Sequence, residues 1–336
     1  MKTVRWGVLG VSKFAMTKVI PAMKSCTISK IAAIASRDAG KAREAAGQME
    51  IEKSYGSYEE LLADPEIDVI YNPLPNHMHV PWSIKAADAG KHVLCEKPVA
   101  LNTAEVRELI AARDRNRVQV AEAFMIRTHP QWIRAVELVR SGAIGELRTV
   151  QTAFGYFNRD GNNIRNKADI GGGALMDIGC YGVYVSRWLF GGEPRRVVAL
   201  ADRDPDFGTD RLTSAILDFP GGQASFVCGT QQTPYQRVQI VGSKARVEIQ
   251  VPFNAIPGES MKFWIDDGSD LRGAAARVEV APACDQYTIQ GDVFSAAVRG
   301  EGTVAVPLED AFGNMSVIEA LFASAGADRW EMPAAL

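Results

Sequence analysis

The sequence predicts an α/β fold in which a doubly wound parallel sheet is followed by an α+β domain with a large, mostly antiparallel sheet. Short apolar segments alternate with helical segments over the first 125 residues, which is the pattern of βαβ units. Beyond them, strand-like segments follow one another without helices between, and several alternate apolar and polar residues, as antiparallel strands with one wetter face do. We therefore expect two domains, residues 1–125 and 126–336.

The elements of the first domain follow from apolar runs without alternation, which are typical of strands covered on both faces. The predicted strands are Val4–Leu9, Ile28–Ala35, Asp68–Asn72, His92–Glu96 and Val118–Phe124. The helices predicted between them are Phe14–Met23, Ala39–Met49, Val80–Ala89 and Thr103–Arg115.

The second domain combines a few helices with many strands, joined by short turns such as Pro220-Gly-Gly222. The predicted helices are Gln131–Ser141, Leu175–Phe190, Gln286–Arg299 and Leu308–Ala327. The predicted strands are Glu146–Tyr156, Arg196–Ala201, Arg211–Asp218, Ala224–Gly229, Arg237–Val241, Ala245–Gln250 and Met261–Ile265.

The composition argues against several classes of protein. The 336 residues are 47% hydrophobic and 23% charged, and the net charge of −3 argues against a nucleic-acid-binding protein with a basic face. No window approaches eighteen consecutive apolar residues, so we expect no membrane span. The five cysteines are scattered without a Cys-x-x-Cys pair, which argues against a disulfide framework or a metal site and favours the cytoplasm.

The turn after the first strand has the pattern of a dinucleotide-binding loop. Read as G-x-G-x-x-G/A, its three positions are Gly10, Ser12 and Ala15. The first position makes the tight turn, the second lets backbone approach a pyrophosphate, and the third allows close helix–strand packing. Ser12 departs from the usual glycine, although its hydroxyl could donate to a phosphate. The alternative is an ordinary strand–turn–helix connection.

The end of the second strand indicates which dinucleotide binds. NAD-binding proteins usually carry Asp or Glu there, to accept hydrogen bonds from the ribose. This chain has Ser36 and Arg37 instead, with Lys41 one turn further on. A hydroxyl and two cations suit a 2′-phosphate, which the forked Arg guanidinium binds well, so the sequence predicts NADP. The alternative is a solvated helix start with Asp38 as N-cap, and the two interpretations are compatible.

Two polar stretches follow later strands of the parallel sheet. They are Asn72-Pro-Leu-Pro-Asn76-His-Met-His79 and Cys95-Glu96-Lys97-Pro98. Ligands bind at the carboxyl ends of strands in open α/β sheets, which favours a functional role for both stretches. Because Lys97 precedes a proline, its backbone is restricted and the bond to Pro98 could be cis. The alternative for Lys97 is an ordinary surface lysine.

A glycine-rich stretch in the second domain precedes two further candidates. In Gly171-Gly-Gly-Ala-Leu-Met-Asp177-Ile-Gly-Cys-Tyr181, the aspartate and the tyrosine are four residues apart and share one face of a helix. The three glycines let another surface come very close. A half-buried core tyrosine is the alternative for Tyr181, but its pairing with Asp177 favours a site.

Together these motifs resemble the Gfo/Idh/MocA family of dinucleotide-dependent oxidoreductases over essentially the whole chain. Many inositol dehydrogenases of that family have His in place of Tyr181. With tyrosine at this position, the chain resembles another branch of the family, which includes glucose-fructose oxidoreductase, dimeric dihydrodiol dehydrogenase, NADP-dependent D-xylose dehydrogenase and sugar 3-ketoreductases. Glu122-Ala-Phe-Met125, Thr128-His-Pro-Gln131 and Asn163-Ile-Arg165 resemble the same branch. The resemblance implies a Rossmann domain followed by an open-faced antiparallel sheet that often dimerises, hence a homodimer or higher homo-oligomer.

The motifs and the resemblance together give the candidate site residues. The catalytic candidates are Lys97, Tyr181 and Asp177. The residues expected to bind the cofactor are Gly10, Ser12, Lys13, Phe14, Ala15, Ser36, Arg37, Lys41, Tyr58, Pro73, Leu74, Asn76, His79, Glu96, Lys97, Ile164 and Arg165. Residues expected to line the substrate pocket are Phe154, Tyr156, Asn158, Tyr235 and Tyr287.

We therefore expect NADP-dependent hydride transfer between the nicotinamide and a sugar or polyol, such as a secondary alcohol, hemiacetal or keto-sugar. A phenol has a pKa of about 10, so Tyr181 needs a nearby cation such as Lys97 to act as a base near neutral pH. Asp177 would orient the substrate or Lys97, while His79 and Arg165 would shape the nicotinamide side. His79 is the next candidate for proton transfer.

Two alternatives from other functional classes stay open. One is a glycosidase of the same family that uses NAD redox chemistry transiently. The other is a non-catalytic NADP-binding sensor, which would not need Lys97 and Tyr181 together.

Overall fold

The computed structural model describes residues 3–336, which form two compact units. The first unit consists of the chain up to Thr128 together with Asp285–Ala311, and the second consists of His129–Cys284 and Phe312–Leu336. The sequence placed the boundary near residue 125 and assigned everything beyond it to the second domain. The structure differs from this prediction because Asp285–Ala311 belongs to the first unit.

The first unit is built on a six-stranded sheet whose paired strands are all parallel, as predicted, in the order β3-β2-β1-β4-β5-β6. Its strands are β1 (Val4–Leu9), β2 (Ser29–Ala35), β3 (Lys53–Tyr55), β4 (Val69–Asn72), β5 (His92–Cys95) and β6 (Val120–Glu122). Its helices before residue 128 are α1 (Ile20–Met23), α2 (Ala39–Met49), α3 (Tyr58–Ala63), α4 (His79–Asp88) and α5 (Thr103–Asn116). The sequence missed β3 and α3.

The helix Gln286–Val298 belongs to the first unit because it contacts β1 and the helix α1 that follows β1. The indole N–H of Trp6 donates to Ser295 Oγ at 3.0 Å, and the Trp6 ring meets Phe294 edge-on at 5.5 Å. The hydroxyl of Thr288 donates to the carbonyl oxygen of Ala22 at 2.7 Å. Trp6 is fully buried by this packing. No local sequence pattern predicts the contact between Trp6 and this distant helix.

The second unit is an eight-stranded sheet in the order β14-β13-β12-β11-β7-β10-β9-β8. All paired strands are antiparallel except β7 and β10, which confirms the predicted mostly antiparallel sheet. Its helices are α6 (Pro130–Arg140), α7 (Cys180–Phe190) and most of α9 (Leu308–Ala327). The helix between them in sequence, α8 (Gln286–Val298), belongs to the first unit. Its strands are β7 (Leu147–Phe157), β8 (Arg196–Arg203), β9 (Asp210–Phe219), β10 (Gly222–Gly229), β11 (Gln231–Gly242), β12 (Arg246–Ile249), β13 (Met261–Asp266) and β14 (Arg277–Ala281).

One face of this sheet is open in the single chain. Helix α7 contacts β7 and β10, and the alternating burial of β9 shows that every second side chain points away from the core. Large apolar side chains on the strands remain accessible, including Leu200 at 73% and Ile216 at 42% of full exposure. A shallow groove lies over β7 to β11 on this face.

The described residues contain no helix long and apolar enough to cross a membrane.

Candidate active site

The turn after β1 requires its glycine. Gly10 has a φ of +80°, in the left-handed region, and its N–H donates to the carbonyl oxygen of Ala35 at 2.8 Å. A Cβ atom at Gly10 would lie 3.0 Å from Leu74 Cδ2, so a side chain would also press against the loop that follows β4. The first position of the predicted dinucleotide motif thus has both properties that the motif demands.

The remaining positions of the motif open the first helical segment. Ser12 Oγ accepts a hydrogen bond from the N–H of Ala15 at 3.1 Å, and Ala15 itself is fully buried. A π-helical turn at Ala15–Val19 follows and runs into α1. Lys13 is exposed, while the Phe14 ring meets Tyr287 edge-on at 5.7 Å. The serine therefore caps this segment with an oxygen that a glycine would lack, and its hydroxyl proton stays available for another acceptor.

The end of β2 carries two exposed cations. Asp38 caps α2 by accepting from the N–H groups of Gly40 at 2.8 Å and Lys41 at 3.1 Å, and these bonds lower its pKa. This confirms the capping interpretation of Asp38. The Arg37 and Lys41 side chains are exposed. Cap and cations therefore coexist at one helix start, as the sequence suggested.

Tyr58 lies against both the glycine turn and Arg37. A Cβ atom at Gly10 would lie 3.5 Å from the Tyr58 hydroxyl oxygen, and the Arg37 charge is near enough to act on that hydroxyl. Burial raises the pKa of Tyr58, and the Arg37 charge opposes this shift. The Trp82 ring holds Tyr58 edge-on at 4.8 Å. Tyr58 thus connects the two predicted phosphate-binding regions of the first unit.

His79 is buried between the loop after β4 and the loop after β5. It is 1% exposed, with Nε2 lying 2.7 Å from the Leu74 carbonyl oxygen and Nδ1 2.8 Å from that of Pro98. Burial lowers its pKa to about 4, against the two carbonyl contacts. Both ring nitrogens are thus engaged by backbone. The role of His79 as the next candidate for proton transfer stays a prediction.

The loops that His79 connects carry several of the other predicted residues. Asn72 Nδ2 donates to the His79 carbonyl oxygen at 3.0 Å, and its Oδ1 accepts from the N–H of Leu74 at 3.3 Å. Pro73 and Leu74 are buried, whereas Asn76 is half-buried. All of them follow β4, at the carboxyl edge of the parallel sheet, where Gly10 and Ser36 follow the neighbouring strands.

Lys97 follows β5 at the same edge. The Lys97–Pro98 bond is cis, which confirms the expectation drawn from the proline, and Lys97 is half-buried. The hydroxyl of Tyr71 donates to Glu96 Oε1 at 2.7 Å. Burial, together with the Glu96 charge, raises the pKa of the fully buried Tyr71 far above its usual value. Sequence reasoning missed Tyr71, whose position in an apolar strand gave no signal beyond packing.

In the second unit a polar group forms around Asp177. Its Oδ2 accepts from the Tyr156 hydroxyl at 2.6 Å and from Arg165 Nε at 2.8 Å. The Asp177 charge raises the pKa of Arg165, and burial with the same charge raises that of Tyr156. The predicted residues Arg165 and Asp177 are thus in direct contact, while Ile164 beside them is 39% exposed. Tyr156 stays protonated as a donor to the carboxylate.

The three glycines bring this chain's own backbone close. The N–H of Gly172 donates to the Lys167 carbonyl oxygen at 2.9 Å, and that of Gly173 donates to Arg165 at 2.8 Å. A Cβ atom at Gly172 would lie 2.6 Å from both of these carbonyl oxygens. The close surface expected from the glycines is therefore the segment that carries Arg165.

Asp210 is a buried carboxylate that sequence reasoning missed. It accepts from the N–H of Leu175 at 2.7 Å and from the Thr213 hydroxyl at 2.8 Å, and a side chain at Gly173 would collide with it. Burial raises its pKa. It therefore fixes the start of the π-helical turn Leu175–Gly179, which contains Asp177 and leads into α7.

Tyr181 lies at the start of α7 among aromatic rings. It is 4% exposed, with its ring 4.9 Å from that of Phe253 and 5.8 Å from that of Phe154. Phe154 thus lies beside Tyr181, and Tyr156 lies beside Asp177. Tyr235 is half-exposed on the open face of the sheet, and Tyr287 belongs to the first unit. Asn158 lies just beyond β7 and is half-buried.

No group of three or more His, Cys, Asp or Glu side chains in residues 3–336 is arranged to hold a metal ion.

Two family models match the chain in sequence. Residues 4–124 match an oxidoreductase family with an NAD-binding Rossmann fold, and residues 132–248 match the GFO/IDH/MocA C-terminal domain. An uncharacterized oxidoreductase of Rhizobium meliloti is 49% identical over 333 residues, which are 98% of this chain and 99% of that protein. The D-xylose 1-dehydrogenase (NADP(+)) 2 of Haloferax volcanii is 36% identical over 325 residues, 95% of this chain and 97% of that one.

A solved structure with the same fold is that of the aldose-aldose oxidoreductase from Caulobacter crescentus complexed with glycerol. It has a TM-score of 0.90 and 28% identity, covering 98% of this chain and 100% of that one. Both domain types, in this order, are thus present, and the identity to relatives extends over nearly the whole chain. The chain therefore belongs to the Gfo/Idh/MocA family of oxidoreductases.

Proposed function

We propose that the protein is an NADP-dependent oxidoreductase that transfers a hydride between the nicotinamide and a sugar or polyol, with Tyr181 as general acid/base and Lys97 as its electrostatic partner. The observation that carries this proposal is the polar group around Asp177, one helical turn before Tyr181. A carboxylate that is 13% exposed and accepts from Arg165 and Tyr156 is a costly arrangement for packing alone. It suits a site that must hold a polar substrate.

The residues of the first unit fit a dinucleotide phosphate. The Gly10 turn brings backbone close without a side chain in the way, and Ser12 adds a hydroxyl. Arg37 and Lys41 are exposed cations where an acidic ribose anchor would favour NAD, which supports NADP. When bound, the nicotinamide would accept or donate the hydride. Glu96 and the cis Lys97–Pro98 segment lie at the same sheet edge.

The proton has to be moved by this chain's own side chains. Oxidation of an alcohol requires a base for the hydroxyl proton, and reduction of a carbonyl requires an acid. Tyr181 supplies an O–H that can serve both directions, and the positive charge of Lys97 favours phenolate. Asp177 keeps its carboxylate fixed through Tyr156 and Arg165, so that it orients the substrate or Lys97.

The substrate class follows from relatives and from the second unit. Relatives are named D-xylose 1-dehydrogenase and trans-1,2-dihydrobenzene-1,2-diol dehydrogenase, which supports a carbohydrate or a related diol. Phe154 packs against the Tyr181 ring and Tyr156 donates to Asp177, so apolar rings and a few placed polar groups are found together, as in small-molecule sites. A cytoplasmic location and a homo-oligomeric state remain predictions from the sequence.

A substrate screen tests the proposal. The purified chain would be incubated with NADP⁺ and a panel of aldoses, polyols and diols, and with NADPH and ketoses, while the absorbance of the reduced nicotinamide is followed. We expect net NADPH formation or consumption with members of the panel. An aryl glycoside serves as the comparison, because phenol release without net cofactor change would identify a glycosidase. Tight cofactor binding with no turnover of any compound would instead support a sensor.

A further inference from the structure

The candidate acid/base Tyr181 is packed against a residue from an irregular segment. Its ring lies 4.9 Å from the Phe253 ring at a tilt of 38°. Phe253 also stacks on Phe154 at 4.9 Å and on Trp132 at 6.3 Å, so it contacts three aromatic rings. Aromatic pairs at these separations have preferred geometries. The plane of the Tyr181 ring, and with it the direction of its O–H bond, therefore depends on where Phe253 lies.

The segment that carries Phe253 is neither helix nor strand, since it follows β12 without regular structure. Such segments are usually exposed and mobile. Phe253 nevertheless has no exposed surface, and Trp132 Nε1 donates to the carbonyl oxygen of the preceding Pro252 at 2.6 Å. Gln131 Nε2 donates to the Val251 carbonyl oxygen at 3.0 Å. Two neighbouring residues of α6 thus hold the segment on one side.

A third side chain holds the segment from β11. Gln236 Oε1 accepts from the N–H of Phe253 at 3.0 Å and from that of Asn254 at 3.2 Å. Gln131 Nε2, Trp132 Nε1 and Gln236 Oε1 therefore all bond to the backbone next to one ring. The ring itself is buried without polar partners, but the backbone groups buried beside it need them, and these three side chains supply the bonds. They fix the position of the backbone, and such supporting bonds are what a precisely placed functional group requires.

We propose that Phe253 is a positioning residue for Tyr181, kept in place by Gln131, Trp132 and Gln236. This rests on the proposed function, in which Tyr181 transfers the proton. It also gives a role to Gln131, which ends the motif Thr128-His-Pro-Gln131 and has no place in the catalytic scheme. Phe253 touches no substrate in this account and acts only through the Tyr181 ring.

Two substitutions test the proposal from different sides. Phe253→Leu keeps an apolar side chain but removes the ring, and Gln236→Leu removes the acceptor of two backbone hydrogen bonds. Gln236→Glu retains an acceptor oxygen and should lose less turnover than Gln236→Leu. Phe219→Leu is the matched control, because Phe219 is also a buried ring in the second unit, stacked on Phe190 at 4.4 Å. All four variants would be compared with the wild type for folding by thermal melting.

The position of the Tyr181 ring would be read by fluorine NMR of protein labelled with fluorotyrosine, with the Tyr181 signal assigned through Tyr181→Phe. We expect this signal to shift or broaden in Phe253→Leu and Gln236→Leu and to stay unchanged in Phe219→Leu. With the best compound of the panel, kcat should fall about 10- to 100-fold in Phe253→Leu, as a small misplacement of a reacting group can cost. NADP affinity, read by fluorescence, should change less than about twofold, since the cofactor contacts are elsewhere.

Failure of this proposal differs from failure of the proposed function. An unshifted Tyr181 signal, or full kcat in Phe253→Leu while Tyr181→Phe has lost its turnover, would overturn the positioning role alone. Full turnover of Tyr181→Phe would reject the acid/base role itself, and the catalytic role of Phe253 with it. In the Tyr181→Phe background, Phe253→Leu should lower turnover no further, because the group it positions is gone.

Discussion

The hydroxyl of Tyr156 donates to Asp177 Oδ2 at 2.6 Å, and the guanidinium of Arg165 donates to the same oxygen. The aspartate comes from the π-helical turn before α7, and its two partners come from β7 and from the segment before the glycines. Three separate stretches of the chain thus meet at one carboxylate.

Tyr156→Phe should lower kcat/KM without unfolding the protein. The substitution removes one donor to Asp177 while Arg165 remains, so the carboxylate loses a hydrogen bond of roughly 1.5–3 kcal/mol and part of its fixed orientation. Steady-state kinetics on the best compound of the panel measures the effect. Tyr235→Phe is the control, since Tyr235 is half-exposed on the open sheet face. Equal kinetics of the two variants would contradict a role for Tyr156.

Arg37→Ala should reduce the preference for NADP over NAD. Removing the guanidinium should cost NADP roughly 1.5–3 kcal/mol of binding free energy, the range for a charge-assisted contact, and leave NAD almost unaffected. Fluorescence titration with both dinucleotides gives the two affinities. Arg115 is an exposed cation on α5 that is paired with Asp88, and Arg115→Ala should leave the preference for NADP intact. Wild-type protein that binds NAD as tightly as NADP would refute the assignment.

The open face of the second sheet should be covered by a second copy of the chain. Leu200 and Ile216 are exposed there in the single chain, and a two-fold related copy would bury such a face most simply. Light scattering should therefore give a mass about twice 36.5 kDa. Leu200→Arg should shift the protein toward the monomer. Leu271→Arg, at a side chain 99% exposed in a loop, should not. A wild type that stays monomeric at micromolar concentration would contradict this prediction.

The free energy of unfolding should fall as the pH drops below about 6.5, the pKa of a free histidine side chain. Burial lowers the pKa of His79 from about 6.5 in the unfolded chain to about 4, so the unfolded state binds the extra proton first. The His79 contribution is therefore complete above about pH 6.5, and about 2 kcal/mol of it should be lost by pH 5. Urea denaturation at several pH values measures this. His129 behaves alike, so His79→Gln isolates the His79 share by flattening the slope. An unchanged slope would mean that His79 has the same pKa in the folded and the unfolded protein.

The fold was predictable to the extent that periodicity determined it. The bounds of β1, α2 and α9 agree with the prediction residue for residue, because strong apolar runs and clear caps define their ends. The strand Lys53–Tyr55 was missed, since three residues with no buried side chain leave no periodic signal. The placement of α8 in the first unit depends on contacts such as that between Trp6 and Phe294, which join residues far apart in sequence.

The candidate site was predictable where a motif carries it. Gly10, Lys97, Asp177 and Tyr181 stand in recognisable patterns, and their catalytic and binding roles stay predictions. Asp210, Tyr71 and Phe253 were not predictable, because each acts through a partner that only the folded chain brings near. His79 begins α4, one residue before the predicted helix Val80–Ala89, and its two carbonyl contacts depend on two loops meeting.

The central claim is that Tyr181 and Lys97 act together in proton transfer, and the turnover of their single and double variants tests it most directly. Tyr181→Phe should retain NADP affinity and lose about 10²–10⁴-fold in kcat, the usual contribution of general acid–base catalysis. Lys97→Ala should lose a comparable factor, and the double variant should be little worse than either single, because groups that act as a unit are not additive. Lys97→Arg separates charge from position, since it keeps the cation but changes its reach. Thermal melting of each variant excludes misfolding. Near-normal kcat in folded Tyr181→Phe, or fully additive losses in the double variant, would contradict the account.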